Sequence, residues 1–294
     1  MKNISKIDTM NLVYYNGTWV GERDIISLYN GSFLYGINCF EGIRGYWNVR
    51  TKRLNLFDLT EHIDRLFNSS NALEFEASIT KKELIEEIFR IISENDISEC
   101  VYLRVTFFID GESSWSETKN ISRVISIRSM KSNIDNKAAM SLAVSSYARI
   151  SNNIMPPRIK AGANYLNSRY ALLEGLKRGF EGAIFLTKDG YISESTGSCI
   201  FFIKGNTLIT PNVDSDILVG ITRNRIISLA QKNHIEVSER KIAIDELPRF
   251  EAAFLAGTMI ELRQISKIEN NNFQLENRLY LQILSFLKNY LYEL

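Results

Sequence analysis

Apolar positions along the chain fall into two rhythms, one of three to four residues and one of two. After Asp58-Leu59-Thr60-Glu61, which has the form of a capping box, Leu59, Ile63, Leu66, Phe67 and Leu73 recur at helical spacing. Thr80-Lys81-Lys82-Glu83 opens a second helix, whose apolar face is Leu84, Ile85, Ile88, Ile91 and Ile92. Residues 12–20 read as a hairpin around Asn16-Gly17, a strong turn signal, and 100–108 and 121–127 read as strands. The polar run 130–138 predicts a linker between a domain of residues 1–129 and one of residues 139–294.

The second half opens with a strand at 140–144 and an irregular stretch containing Pro156-Pro157. A helix over 166–178 stops at Gly179, a C′ glycine. Hairpins turn at Asp189-Gly190 and Gly205-Asn206; 221–232 is helical, 251–255 is a strand, and 279–292 is an amphipathic helix. This mixed order predicts an α+β or α/β chain of two domains, with a ligand site between them.

Composition narrows the function. At 45% hydrophobic residues the 294-residue chain can bury full cores, yet no run reaches a membrane span. The stretch from Met1 to Asp8 has no apolar signal core, so export is not expected and a cytoplasmic location is. A net charge of +1, from 35 basic and 34 acidic residues, argues against nucleic acid or a membrane surface as partner. Three scattered cysteines, Cys39, Cys100 and Cys199, suit a reducing compartment. With two histidines and no C-x-x-C pair, a zinc site is not expected, and acid–base work falls to Lys, Tyr or carboxylates. Of the histidines, His62 reads as helix surface or helix end, and His234 closes a helix.

Small residues flank Lys160 in Arg158-Ile159-Lys160-Ala161-Gly162-Ala163-Asn164-Tyr165, so a bulky group can approach it, and a helix begins just beyond. Gly220-Ile221-Thr222 stands at another helix start, where free N–H groups and the dipole favour an anion. On the 100–108 strand, Tyr102, Arg104 and Thr106 project from one face.

The Lys160 segment resembles that of branched-chain amino-acid aminotransferases, class IV aminotransferases of the fold-type IV pyridoxal-phosphate enzymes. The resemblance runs from Tyr15-Asn16-Gly17 to about Ile265, and its blocks stand in family order. These are Tyr35-Gly36-x-x-x-Phe40-Glu41-Gly42-Ile43-Arg44, Glu61-His62-Ile63-Asp64-Arg65-Leu66, Gly190-Tyr191-Ile192-Ser193-Glu194, Gly220-Ile221-Thr222-Arg223 and Ala256-Gly257-Thr258. The resemblance implies a two-domain D-amino-acid-aminotransferase-like fold, a homodimer or higher homo-oligomer, and pyridoxal 5′-phosphate as cofactor. It implies that Lys160 holds the cofactor as a Schiff base and shuttles the substrate proton, and that Glu194 faces the pyridine nitrogen. Tyr165 would bond the 3-oxygen; Arg65, Ile221, Thr222 and Thr258 would hold the phosphate, and Gly197 would line the cofactor. Tyr35, Phe40, Gly42, Tyr102, Arg104, Thr258 and the peptide at Met259 would meet substrate, although Tyr35 and Phe40 read equally well as core aromatics. The implied reaction passes the amino group of a hydrophobic L-amino acid (Leu, Ile or Val) to 2-oxoglutarate in a ping-pong cycle. Arg104 would take the distal carboxylate of glutamate.

Neighbouring activities leave their own marks. A D-amino-acid aminotransferase would carry Arg-x-His on the strand where this chain has Arg104-Val105-Thr106, and aminodeoxychorismate lyases usually lack a counterpart of Tyr165. A non-catalytic homologue would not be expected to keep Lys160, Tyr165, Glu194 and Arg65 together. Met259 and Ile260 replace two small residues, Cys199 an asparagine, and Gln264 a proline, while the loop 110–117 carries Trp115. These departures keep open a specialised aminotransferase for another hydrophobic, aromatic or pathway-specific substrate.

Overall fold

A computed structural model describes residues 11–20, 29–112 and 114–293; the stretch from Met1 to Asp8 and Ser113 lie outside these. The chain divides into two compact units between Lys131 and Ser132.

In the first unit, β1 (Asn11–Tyr15) and β2 (Thr18–Val20) flank a tight turn with Asn16 at φ 45° and Gly17 at φ 84°. The elements that follow are α1 (Gly31–Tyr35), β3 (Asn38–Asn48), β4 (Arg53–Leu56), α2 (Leu59–Ala72), α3 (Lys81–Glu94), β5 (Val101–Ile109) and β6 (Ile121–Ser129). The six strands form an antiparallel sheet in the order β2-β1-β6-β5-β3-β4. Cys39, Ile43, Leu103, Val105 and Phe107 pack with Ile63 and Leu66 of α2 and Leu84, Ile88 and Ile91 of α3. The opposite face carries Phe40, Gly42, Tyr102, Arg104 and Thr106, in register across β3 and β5.

Helix α3 starts at Thr80–Glu83 as expected, and the structure shows a capping box there between Thr80 and Glu83. At α2 the expected box does not form. Asp58 adopts a left-handed conformation (φ 45°, ψ 46°), whereas a capping side chain needs an extended N-cap residue to reach the first turn. His62 is also a correction: it is fully buried, because its position on α2 turns it toward the sheet rather than solvent. Arg44, buried on β3, ties down the end of the unit by donating through Nη2 to the carbonyls of Met130 (3.2 Å) and Lys131 (2.8 Å).

The second unit contains β7 (Met140–Val144), α4 (Tyr165–Lys177), β8 (Gly182–Leu186), β9 (Ile192–Ser195), β10 (Cys199–Lys204) and β11 (Thr207–Pro211). It continues through α5 (Ile221–Lys232), β12 (Glu236–Arg240), β13 (Ala252–Gly257), β14 (Glu261–Ile268), β15 (Asn271–Asn272) and α6 (Arg278–Glu293). The mixed sheet runs β12-β11-β10-β13-β14-β7-β8-β9, with β15 paired to β14. Strand β10 is buried on both sides, so its side chains alternate between two cores rather than between core and water. Phe202 stacks on Phe250 at 4.6 Å on one side, and Phe201 stacks on Phe254 at 5.1 Å on the other. Tyr280 of α6 meets the edge of Phe254, and Ala171 of α4 packs on Ala143, Ala183 and Phe185.

Candidate active site

The segment before α4 is folded back on itself. The Asn164 amide donates to the carbonyls of Pro156 (3.1 Å) and Ile159 (2.9 Å), which fixes the short stretch carrying Lys160. Lys160 Nζ donates to the Tyr165 hydroxyl at 2.9 Å, so the lysine and the first residue of α4 share one polar contact.

Glu194 comes from β9, across the hairpin from β8, and is buried. Its Oε1 lies 2.9 Å from Arg149 Nη2 and accepts the Leu218 amide at 3.1 Å. Burial pushes the Glu194 carboxyl up; Arg149, the Leu218 amide and the charge of Lys160 oppose that without cancelling it. Lys160 thus bonds Tyr165 and acts by its charge on Glu194.

Helix α5 begins after Gly220 with no side chain capping it, so the amides of Ile221 and Thr222 stand in the first turn beside the positive end of the dipole. Both residues are buried. A Cβ added at Gly220 would lie 2.8 Å from Cys199 Sγ, so backbone and thiol are packed as closely as glycine allows. At Gly197, by contrast, an added Cβ would meet nothing within 4 Å.

Thr258, Met259 and Ile260 form the turn joining β13 to β14, closed by the Gly257–Glu261 pair. Glu261 is left-handed (φ 56°) and 2% exposed; its carboxylate accepts from the Ser132 hydroxyl at 2.9 Å and from the Asn133 amide. Met259 at the tip is exposed.

In the first unit, Arg104 lies over the Phe40 ring at 3.6 Å and donates from Nε to the Thr106 hydroxyl at 3.2 Å. Gly42 is opposite Arg104, and a Cβ there would fall 2.3 Å from the Tyr102 hydroxyl. The four expected substrate residues Phe40, Gly42, Tyr102 and Arg104 thus share one sheet face. Tyr35, half exposed, is on α1 rather than on the sheet, with its ring 6.2 Å from that of Trp115.

Arg65 of α2 is held by Glu41: Nε to Oε1 is 2.6 Å and Nη2 to Oε2 is 2.8 Å. His62 Nδ1 also meets Glu41 Oε2, at 2.7 Å. Burial raises the Glu41 carboxyl, but the charge and hydrogen bonds of Arg65, then those of His62, outweigh it and leave it at about 2. Glu41 and Arg149 went unrecognised from sequence alone, because each gains its role from a partner more than twenty residues away.

These residues suit pyridoxal 5′-phosphate. An uncapped, buried helix start fits a phosphate, a buried carboxylate fits a protonated ring nitrogen, and a lysine beside a phenol fits an aldehyde next to a ring hydroxyl.

The amino-transferase class IV family model matches residues 38–268. A probable branched-chain-amino-acid aminotransferase of Aquifex aeolicus is 34% identical over 266 residues, covering 89% of this chain and 86% of its own. The branched-chain amino acid aminotransferase of Thermobaculum terrenum, solved in its PLP holo-form, superposes with a TM-score of 0.91 at 30% identity, over 96% of this chain and 94% of that one. The Thermoproteus uzoniensis branched-chain aminotransferase, solved with norvaline, gives 0.90 at 29% identity, over 96% and 95%. The chain belongs to the class IV aminotransferases and is a pyridoxal-phosphate-dependent aminotransferase with the α+β fold of the fold-type IV enzymes.

Proposed function

We propose that this aminotransferase passes the amino group of leucine, isoleucine or valine to 2-oxoglutarate, giving the branched 2-oxo acid and L-glutamate in a ping-pong cycle. The relatives named branched-chain aminotransferases support the substrate class. The observation that carries the chemistry is Lys160 Nζ bonded to the Tyr165 hydroxyl at 2.9 Å, with buried Glu194 in electrostatic reach.

Pyridoxal 5′-phosphate supplies an electron sink for the pair left at the substrate Cα. Lys160 Nζ would hold the cofactor by its aldehyde and, when free, would be the base that takes the substrate Cα proton and gives it back on the cofactor side. Tyr165 orients that amine and bonds the 3-oxygen. Glu194 holds a proton on the ring nitrogen. The Ile221 and Thr222 amides, Thr258 and Arg65 bind the phosphate, with Gly197 leaving room beside the ring. Arg104 takes the distal carboxylate of glutamate, the Thr258–Met259 turn takes the α-carboxylate, and Tyr35, Phe40, Gly42 and Tyr102 shape the side-chain pocket.

Residues 1–129 and 139–294 are the two domains of this reading, joined by 130–138, and the chain works as a homodimer or higher homo-oligomer in the cytoplasm. Among the described residues no helix is long and apolar enough to cross a membrane. A second reading, a specialised aminotransferase for another hydrophobic or aromatic amino acid, is favoured by the exposed Met259 and by Trp115 against Tyr35.

The test is optical. Leucine, isoleucine and valine should each convert the bound cofactor to its amine form, and 2-oxoglutarate should restore it. Conversion only by other amino acids would remove the branched-chain assignment and leave the reaction class standing. A folded Lys160→Ala protein that kept the wild-type cofactor band would remove the role of Lys160.

A further inference from the structure

Arg149 follows β7, on the stretch between that strand and the Lys160 segment, and its side chain is only 7% exposed. Such a burial needs compensation, and it comes at the two terminal nitrogens, Nε being buried without a hydrogen-bond partner. Nη2 is 2.9 Å from Glu194 Oε1, while Nη1 donates to Asn167 Oδ1 at 3.2 Å. Asn167 also grips the backbone on both sides of the arginine, accepting the Ile150 amide at 3.3 Å and donating to the Ala148 carbonyl at 3.0 Å. The Phe185 ring lies 5.3 Å beneath the guanidinium. Asn167 belongs to α4, two residues beyond Tyr165.

We propose that Arg149 is a positioning residue for the cofactor's ring nitrogen: it holds Glu194 ionised and aimed, and Asn167 holds it in turn from the helix that carries Tyr165. The inference rests on the assignment of Glu194 to that nitrogen. Arg149 and the Leu218 amide both engage Oε1, which leaves Oε2 to accept from a pyridinium. The fork of an arginine serves two partners in two directions and keeps its charge, which one ammonium point charge does not reproduce. Through the Arg149–Asn167 pair, the contacts expected at the ring nitrogen and at the 3-oxygen hang from one helix.

The charged groups that face Glu194 are Arg149 and, at longer range, Lys160. Beyond Arg149 lies Asp216, pushed up by burial, opposed by the Asn152 amide, Arg149 and Lys188, and raised further by Asp189. Removing the guanidinium therefore takes from Glu194 the nearest group opposing its protonation. Its carboxyl then gains a proton at higher pH, and a protonated carboxyl cannot balance a pyridinium.

The experiment uses the holoenzyme and follows two pH profiles, the visible absorbance of the bound cofactor and the rate of the half-reaction with leucine. Arg149→Met should retain cofactor, move the acid limb of both profiles up by at least one pH unit, and slow the half-reaction at least ten-fold at pH 7, with recovery at high pH. Arg149→Lys, which keeps a charge beside Glu194 but not the fork, should return the acid limb toward its wild-type position and recover only part of the rate. Adding Arg149→Met to Glu194→Gln should produce no further loss. An unmoved acid limb in Arg149→Met, whether the rate is unchanged or lowered equally at every pH, overturns the proposal. A Glu194→Gln enzyme with wild-type profiles overturns the assignment of Glu194 instead, and does so without reference to Arg149. If Arg149→Met does not fold, Asn167→Ala decides: a shift in the same direction supports the proposal, and an unmoved limb overturns it.

Discussion

Glu41 and Arg65 form a two-point ion pair in which the carboxylate is fully buried and the guanidinium nearly so, at 0% and 14% side-chain exposure. A buried acid with this geometry fixes the direction of the arginine, because a planar fork on two oxygens allows little rotation. The arginine proposed to meet the phosphate is thus prepared by the first unit's own packing.

Glu41→Gln should destabilise the protein by about 3–5 kcal/mol, since it leaves a desolvated guanidinium without its counter-charge. The sign of the pH dependence follows from the carboxyl held at about 2 against an ordinary 4.5. Its contribution is complete above about 4.5 and lost as pH falls toward about 2. Urea unfolding between pH 6 and pH 3 should show the gap between wild type and Glu41→Gln narrowing as pH drops. A gap that stays constant would remove the charge from the explanation.

Gly42→Ala should displace the Tyr102 phenol, because the new methyl would lie 2.3 Å from its hydroxyl and 2.8 Å from two of its ring carbons. The expected cost is about 1–3 kcal/mol, with a raised KM for amino donors. Tyr102→Leu in the same chain should return stability toward wild type while KM stays altered. Thermal melts and initial rates on the wild type and the two variants check this.

Cys39 should resist alkylation in the native protein. It is fully buried, and burial, with Glu41 nearby, pushes its thiol up to about 12. Mass mapping after iodoacetamide at pH 8 should find this site unlabelled until the protein is unfolded with guanidinium.

Gly220→Ala should weaken cofactor binding by about tenfold, about 1.4 kcal/mol, by pushing the start of α5 away from Cys199. The backbone itself tolerates alanine there, at φ −72°. Cys199→Ala should therefore restore affinity in the double variant, measured by cofactor titration of the apoenzyme.

Local chemistry was readable where it is local in sequence. The Asn16-Gly17 turn, the helix start at Thr80–Glu83 and the shared face of Tyr102, Arg104 and Thr106 each depend on residues at most four positions apart. Strand β3 escaped because Glu41, Gly42 and Arg44 interrupt its apolar pattern, and those polar residues are buried by partners the sequence does not adjoin. Strand β14 escaped for a similar reason: Glu261 and Gln264 are buried within it. At α2, Asp58 has the right side chain for a cap and the wrong backbone conformation. At Lys160 the local signal was only small neighbours; Tyr165 stands five residues on, but Glu194 comes from a strand more than thirty residues away, with Arg149 beside it.

The three-residue turn after β13 ends on a left-handed glutamate, a conformation that costs about 1 kcal/mol in an ordinary residue and is kept because the carboxylate is moored to Ser132 and Asn133. A loop moored at its exit has no slack to donate. Lengthening it by a residue would swing Glu261 off its berth, whereas exchanging Met259 leaves every mooring untouched. Drift toward new substrates in this lineage should therefore proceed by swapping the side chain at the tip, with the length of the turn standing still.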